Sequence, residues 1–259
     1  MGHARAGAAL LALHVWLGAA LLAAGSRAET LRVGAASSLR EPIAAIARSF
    51  EAGNPGTQVA VSYGASSLLA AQLRAGAPLD VLLLADPVIA DRLARQGDIG
   101  ARATFARNEL VVVVRDPSLR IDRPSDLVSD GVDRIAIPEH VVPVGRYARL
   151  WLERHALVAA VEARAVYTQH ARATLTAVDQ GHVDLAIVYA SDARLARNAH
   201  VAYRIPPDEQ PAIAYVAVVA EREPPSALAR DWLAFLTGAS SQAVLRAAGF
   251  AAPDVPSPP

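Results

Sequence analysis

The chain contains no cysteine and no lysine. Without cysteine there are no disulfides, no thiolate metal ligands and no cysteine nucleophile. The fold must therefore be held by burial of apolar side chains. About 230 residues follow the N-terminal segment described below, enough for one large domain or two small lobes. Without lysine, Schiff-base chemistry and phosphate-loop lysines are excluded, and all 25 basic residues are arginine. An excess of either charge is missing too, since 25 acidic residues balance them. Such a balance supplies no broad basic surface for nucleic acid. An anion bound by this chain has to be held by local donors rather than by bulk charge.

What is present begins with residues 1–28. One early charge, Arg5, precedes a long apolar stretch that ends at Ser26, Arg27 and Ala28. That is the pattern of a cleavable signal peptide, with a small-x-small processing site after Ala28. An uncleaved anchor is the alternative, because the apolar run is nearly long enough to span a bilayer. No cysteine follows, which excludes a lipid anchor on an N-terminal cysteine. Cleavage would remove Arg5 and Arg27 and leave 23 basic against 25 acidic residues, a formal charge of −2.

Further along, β-rich apolar runs alternate with Ala/Leu/Arg-rich helical stretches. Strands are predicted at 31–35, 58–62, 80–85, 110–115, 134–137, 161–167, 184–189, 201–204 and 213–220. Helices are predicted at 42–50, 67–75, 87–96, 146–156, 172–180, 226–236 and 240–248. Such alternation argues for an α/β fold with buried, mostly parallel strands. Two runs, 109–115 and 212–220, are long and continuously apolar. Paired as crossover strands they would divide the chain into two lobes with a hinged cleft between them. Lobe one would take residues 29–110 and 221–259, and lobe two 111–220. The same two runs would serve equally well as core strands of a single sheet. The Pro-rich tail from Ala252 to Pro259 is expected to fray.

Four strand-to-helix junctions share one character. They lie at Gly34–Ser38, Ser62–Ser67, Pro138–Gly145 and Thr168–Ala171. Each puts small residues at the start of a helix, where the first N–H groups are unpaired and carry partial positive charge. Several such ends converging on one cleft make an anion site without a cationic side chain. Taken singly, each has a simpler reading, because serine before a helix is a common N-cap. Serine doublets at two junctions leave a hydroxyl to spare.

In order and spacing these segments resemble the periplasmic molybdate-binding proteins of ABC importers, from about Leu31 to Phe250. The resemblance is carried by Ala35–Leu39, Tyr63–Leu69, Ala75–Asp80 with Ala85 and Asp86, Asn108–Val114, Pro138–Val141 and Ala186–Ala193. It implies a two-lobed periplasmic-binding-protein fold of type II, each lobe a mixed, mostly parallel sheet flanked by helices. It implies hydroxyl ligands at Ser38 and Ser66, a tyrosine ligand at Tyr189, and backbone-amide donors near Val144 and Ala171. It also implies a monomeric periplasmic protein, no cofactor and no catalysis. Molybdenum would be held only as bound molybdate, with tungstate its equivalent in chemistry, and an ABC transporter permease would be the partner. One departure stands out. The family's third loop usually reads His-Val-Pro-Ala-Gly; here His140 to Gly145 carries one extra residue, and Val144 replaces Ala.

The residue types suit that ligand. Molybdate, tungstate and sulfate are fully deprotonated near neutral pH, so their oxygens only accept hydrogen bonds. Hydroxyls and backbone N–H groups can donate to them, whereas an ionised carboxylate would repel them. No Asp or Glu falls on the expected ligand positions, which disfavours phosphate, an anion that retains a proton. Sulfate on the same fold is the leading alternative. A hydrolase is remote: there is no Gly-x-Ser-x-Gly elbow. Asp80 and Asp86, about 20 Å apart along a strand, cannot share a reaction centre. Asp86, before Pro87, is expected to cap the next helix. A metal-ion carrier is also remote, since His140, His170, His182 and His200 lack close ligand spacing. Arg146, Arg149 and Arg172 are expected beside the site rather than on the ligand.

Overall fold

A computed structural model describes residues 29–253 except 223 and 225. The expected signal peptide and the end of the Pro-rich tail lie outside the described residues. The chain opens with β1 (Glu29–Ala36), α1 (Arg40–Gly53), β2 (Thr57–Gly64), α2 (Ser66–Arg74), β3 (Val81–Leu84), α3 (Pro87–Arg95) and β4 (Ile99–Asn108). Then come β5 (Leu110–Val114), β6 (Ile135–Pro138), α4 (Pro143–Arg154), α5 (Val158–Glu162), β7 (Ala165–Thr168), α6 (Ala171–Asp179), β8 (Leu185–Tyr189), α7 (Ala190–Ala193) and β9 (His200–Arg204). β10 (Ile213–Ala220), α8 (Ala227–Thr237) and α9 (Ala239–Ala247) follow.

These strands form two five-stranded sheets, ordered β2-β1-β3-β10-β4 and β7-β6-β8-β5-β9. In each, parallel neighbours on one side (β2-β1-β3 and β7-β6-β8) meet antiparallel neighbours on the other. Helices cover the faces because their apolar residues recur on one side. In α1 the buried set is Pro42, Ile43, Ile46, Ala47 and Phe50. Phe50 meets the Trp232 ring of α8 edge-on at 5.2 Å, which ties the C-terminal helices to the first sheet. Fully buried strands such as β5 and β8 read as unbroken apolar runs, as strands covered on both faces do.

The sheets are joined twice. Only Glu109 separates β4 from β5, and residues 205–212 return the chain from β9 to β10. Gln210 clips the two connections together. Its amide accepts from Leu110 N at 2.9 Å and donates to Leu110 O at 2.9 Å and Ile205 O at 3.1 Å. The apolar runs at 109–115 and 212–220 do not pair with each other. β5 sits in the second sheet, while β10 pairs with β3 and β4 in the first. Residues 213–220 therefore pack in the first sheet, not with 111–212 as the sequence reading grouped them. Two further differences concern edges. β4 was not expected, and the predicted strand at 161–167 is split between the end of α5 and β7.

Candidate functional site

The parallel strands β1, β2 and β3 of one sheet and β6, β7 and β8 of the other run toward a common cleft. Ligands of open α/β sheets bind outside the carboxyl ends of such strands. Ser38 and Ser66 reach this cleft from the first sheet's side, and Val144, Ala171 and Tyr189 from the second. All five line one cavity, together with Ser37, Ala65, Ala85, Val142 and other small residues. No charged side chain lines it. The space is small, with room for about one water.

The helix starts here differ from ordinary capped ones. Asp86 caps α3 by accepting from Val88 N, Ser226 caps α8, and His170 caps α6 through its ring, accepting from Ala173 N at 3.1 Å. The starts of α2 and α4 have no side-chain cap, and neither does the turn at Ser37–Leu39. The simple capping role for the serines is thus not what the structure shows. Ser66 instead accepts a hydrogen bond from Ala85 N at 2.9 Å. Its oxygen is occupied as an acceptor, so its own proton remains free to be donated. Tyr189 is 1% exposed, and its hydroxyl has no protein partner. Burial, reinforced by the neighbouring Tyr215, Tyr147, Asp192 and Asp86, pushes its pKa well up, so it stays protonated and able to donate. Ser38, 3% exposed, lies 3.0 Å from the hydroxyl of Tyr215.

The third loop passes from the surface into the cavity wall, which Val142, Pro143 and Val144 line. His140 and Val141 are exposed, whereas Val142 to Gly145 are buried, with Val144 in the first turn of α4. The buried Val142 and Val144 side chains add apolar bulk to the lining.

Charges stand around the cavity in pairs. Arg146 on α4 donates to Asp86 at the start of α3 through two nitrogens, at 2.8 and 2.9 Å. Arg172 on α6 bonds Glu41 on α1 and lies 2.9 Å from Asp192. Both Arg146–Asp86 and Arg172–Glu41 cross between the two sheets' helices. Arg149 pairs with Glu162 on its own side. His140, His182 and His200 are exposed, and no group of three or more metal-ligating side chains occurs among the described residues. Burial, with Arg40 and Arg172 nearby, lowers the pKa of His170, in keeping with a neutral ring that accepts from the backbone.

The profile of the bacterial extracellular solute-binding proteins matches residues 31–251. The chain belongs to this family. Its members capture solutes rather than transform them. The molybdate-binding protein ModA of Mycobacterium tuberculosis is 30% identical over 234 residues, covering 87% of this chain and 86% of that one. The periplasmic molybdate-binding protein of Azotobacter vinelandii superposes with a TM-score of 0.77 at 25% identity, covering 86% of this chain and 100% of that one. The sulfate-binding protein SubI of Mycobacterium tuberculosis, 18% identical with a TM-score of 0.73 over 86% of each chain, shares the fold.

Several site residues escaped the sequence reading. Ser37, 5% exposed, joins the lining as the other member of the first doublet. Tyr215 and Asn108 stand directly behind Ser38. One signal for Tyr215 was available: a phenol inside an apolar run needs a buried partner. Asp86 was readable as a helix cap, but its pairing with Arg146, like that of Glu41 with Arg172, gave no local signal, because the partners are far away in sequence.

Proposed function

We propose that this protein captures molybdate, and with it tungstate, in the cleft between its sheets and delivers it to an ABC transporter permease. One observation carries the reading: the cavity is lined only by uncharged groups, and its buried hydroxyls keep protons to give. Ser66 is fixed as a donor by Ala85 N, and Tyr189 has nothing else to bond. A dianion that only accepts hydrogen bonds matches that set, together with amide donors at Val144 and Ala171 at the starts of α4 and α6. The named relatives that bind molybdate support the choice of ligand. The protein acts as a monomer in the periplasm after removal of residues 1–28. Closure brings Val144, Ala171 and Tyr189 onto an anion first held by Ser38 and Ser66.

The test is thermal unfolding with molybdate, tungstate, sulfate and phosphate. A ligand at a hundred times its dissociation constant adds about 2.7 kcal/mol, roughly 5–10 °C in a domain of this size. Molybdate and tungstate are expected to give that shift. A shift with sulfate alone overturns the ligand, and none with any anion overturns the site.

Tyr189→Phe gives a sharper test of the site. The hydroxyl it removes has no protein partner, so the unliganded melting temperature is expected to hold or rise slightly. Molybdate affinity should fall about tenfold or more, the scale of a hydrogen bond to an ion. Titration calorimetry on both proteins reads it, and an unchanged dissociation constant removes Tyr189 from the ligand set.

A further inference from the structure

Behind Ser38 lies a chain of buried hydrogen bonds whose direction can be worked out atom by atom. Asn108 closes β4, and its side-chain oxygen accepts from Glu109 N at 3.0 Å and from Ser191 N at 3.4 Å. Two backbone donors on that atom fix which way the amide faces. Its nitrogen must then point the other way, and it donates to Ser191 Oγ at 2.8 Å and to the Tyr215 hydroxyl at 3.2 Å. Tyr215 has one proton. With its oxygen accepting from Asn108, that proton goes to its remaining neighbour, Ser38 Oγ, at 3.0 Å. Ser38 is thereby held as an acceptor toward Tyr215, and its own proton is left for the cavity it lines.

Tyr215 is fully buried and Asn108 is 7% exposed, so water does not compete for these bonds. Burial keeps the phenol protonated, with Asp192 acting in the same direction, so the relay does not lose its proton near neutral pH. The rings of Phe105, Tyr189 and Phe250 pack around Tyr215 and hold it in place.

We propose that Asn108 and Tyr215 are positioning residues for the anion site, a relay that locks the Ser38 hydroxyl as a donor into the cavity. This rests on the anion-binding reading above. The relay explains how a hydroxyl, which can donate or accept, is made to serve only ligands without a proton. Ser66 is locked by a backbone amide; Ser38 is locked through two side chains placed where the chain crosses between sheets. Ser191, at the start of the second sheet's α7, anchors the relay's far end, so the donor on the first sheet's side is tied to the position of the other half.

The test is a double-mutant cycle on the mature full-length chain, with molybdate affinity measured by titration calorimetry. Tyr215→Phe keeps the ring and removes only the relay oxygen. It is expected to weaken molybdate binding about tenfold. In a Ser38→Ala background the same change should add less than about twofold, because Tyr215 acts through Ser38. Full additivity in the two backgrounds overturns the relay and leaves Tyr215 a packing residue. Asn108→Ala, carried through the same cycle, reads the relay one bond upstream and should show the same coupling. A reading without ligand comes from NMR of the unliganded wild type. The Tyr215 hydroxyl proton should exchange slowly and its resonance should move on Ser38→Ala. A Tyr215 proton indifferent to Ser38 overturns the relay. If the wild type binds none of the four anions, the anion reading fails, and the NMR experiment still decides the relay.

Discussion

Replacing Gly145 with alanine is expected to cost both stability and anion binding. Gly145 lies in the first turn of α4, beside Val144, and its backbone is not in the left-handed region that favours glycine. The requirement is space. A Cβ built there would lie 2.3 Å from Glu139 O, 2.4 Å from Pro138 O and 2.9 Å from Pro138 C. These are backbone atoms and cannot rotate aside. Pro138 ends β6, in register with Thr168, Glu139 N donates to Thr168 O, and Glu139 O accepts from Val142 N at 2.9 Å. The helix start would have to lift off the strand end by roughly 1 Å against a close-packed interior. Overpacking of this kind costs about 1–3 kcal/mol, and a double backbone clash belongs at the upper end. The unfolding midpoint should drop by roughly 6–12 °C. Because the same movement carries Val144 out of the cavity, molybdate affinity should fall with it. A melting curve superimposable on wild type would mean that the loop gives way freely, and the close approach would then have no role in placing the Val144 amide.

That tight contact also shows what a sequence can and cannot reveal. The glycine was legible as part of a loop pattern, but its necessity comes from two carbonyls six and seven residues earlier. The alternation of strand and helix was legible because periodicity is local. β10 was recognisable as a strand from its unbroken apolar run, yet a strand covered on both faces has no period to say which sheet it joins. β4 escaped because it is an edge strand whose first half is mostly exposed, so Arg102 and Arg107 interrupt any apolar pattern. At the site, the residues at helix starts were readable, since small residues before a helical run carry that signal. Their partners were not. Ser38 and Tyr215 stand 177 residues apart, and Asn108 and Ser191 stand 83 apart. Hydrogen-bond direction is a property of such pairs, and only the folded chain brings them together. For the same reason Arg146 and Arg172 were readable as charges near the cleft but not as clasps between its walls.

The Arg172 clasp leads to the second large effect, a contribution to the pH dependence of stability that a single substitution should remove. Arg172 lies between Glu41 on the opposite wall and Asp192, whose side chain is fully buried. Burial raises the Asp192 pKa from 3.8 to about 7; Arg172 pulls it back down, and Glu41 pushes it further up. Between pH 4 and pH 7 the folded chain therefore holds a proton that the unfolded chain has released. The contribution of Asp192 to stability therefore falls as pH rises through that window and levels off above it, while His170, whose pKa is lowered, contributes in the opposite direction. A shift of this size corresponds to a span on the order of 4 kcal/mol. Asp192→Asn keeps the shape and removes the titration. Its melting temperature should stay close to wild type at pH 5 and exceed it by a growing margin toward pH 8, read by thermal unfolding at four pH values. A constant difference across that range would show that Arg172 keeps the carboxylate ionised throughout. The direction makes sense for the site. Asp192 lies three residues beyond Tyr189 and adds to the rise in that phenol's pKa. Below about pH 7 the neutral carboxyl keeps negative charge from gathering behind the cavity that Tyr189 lines.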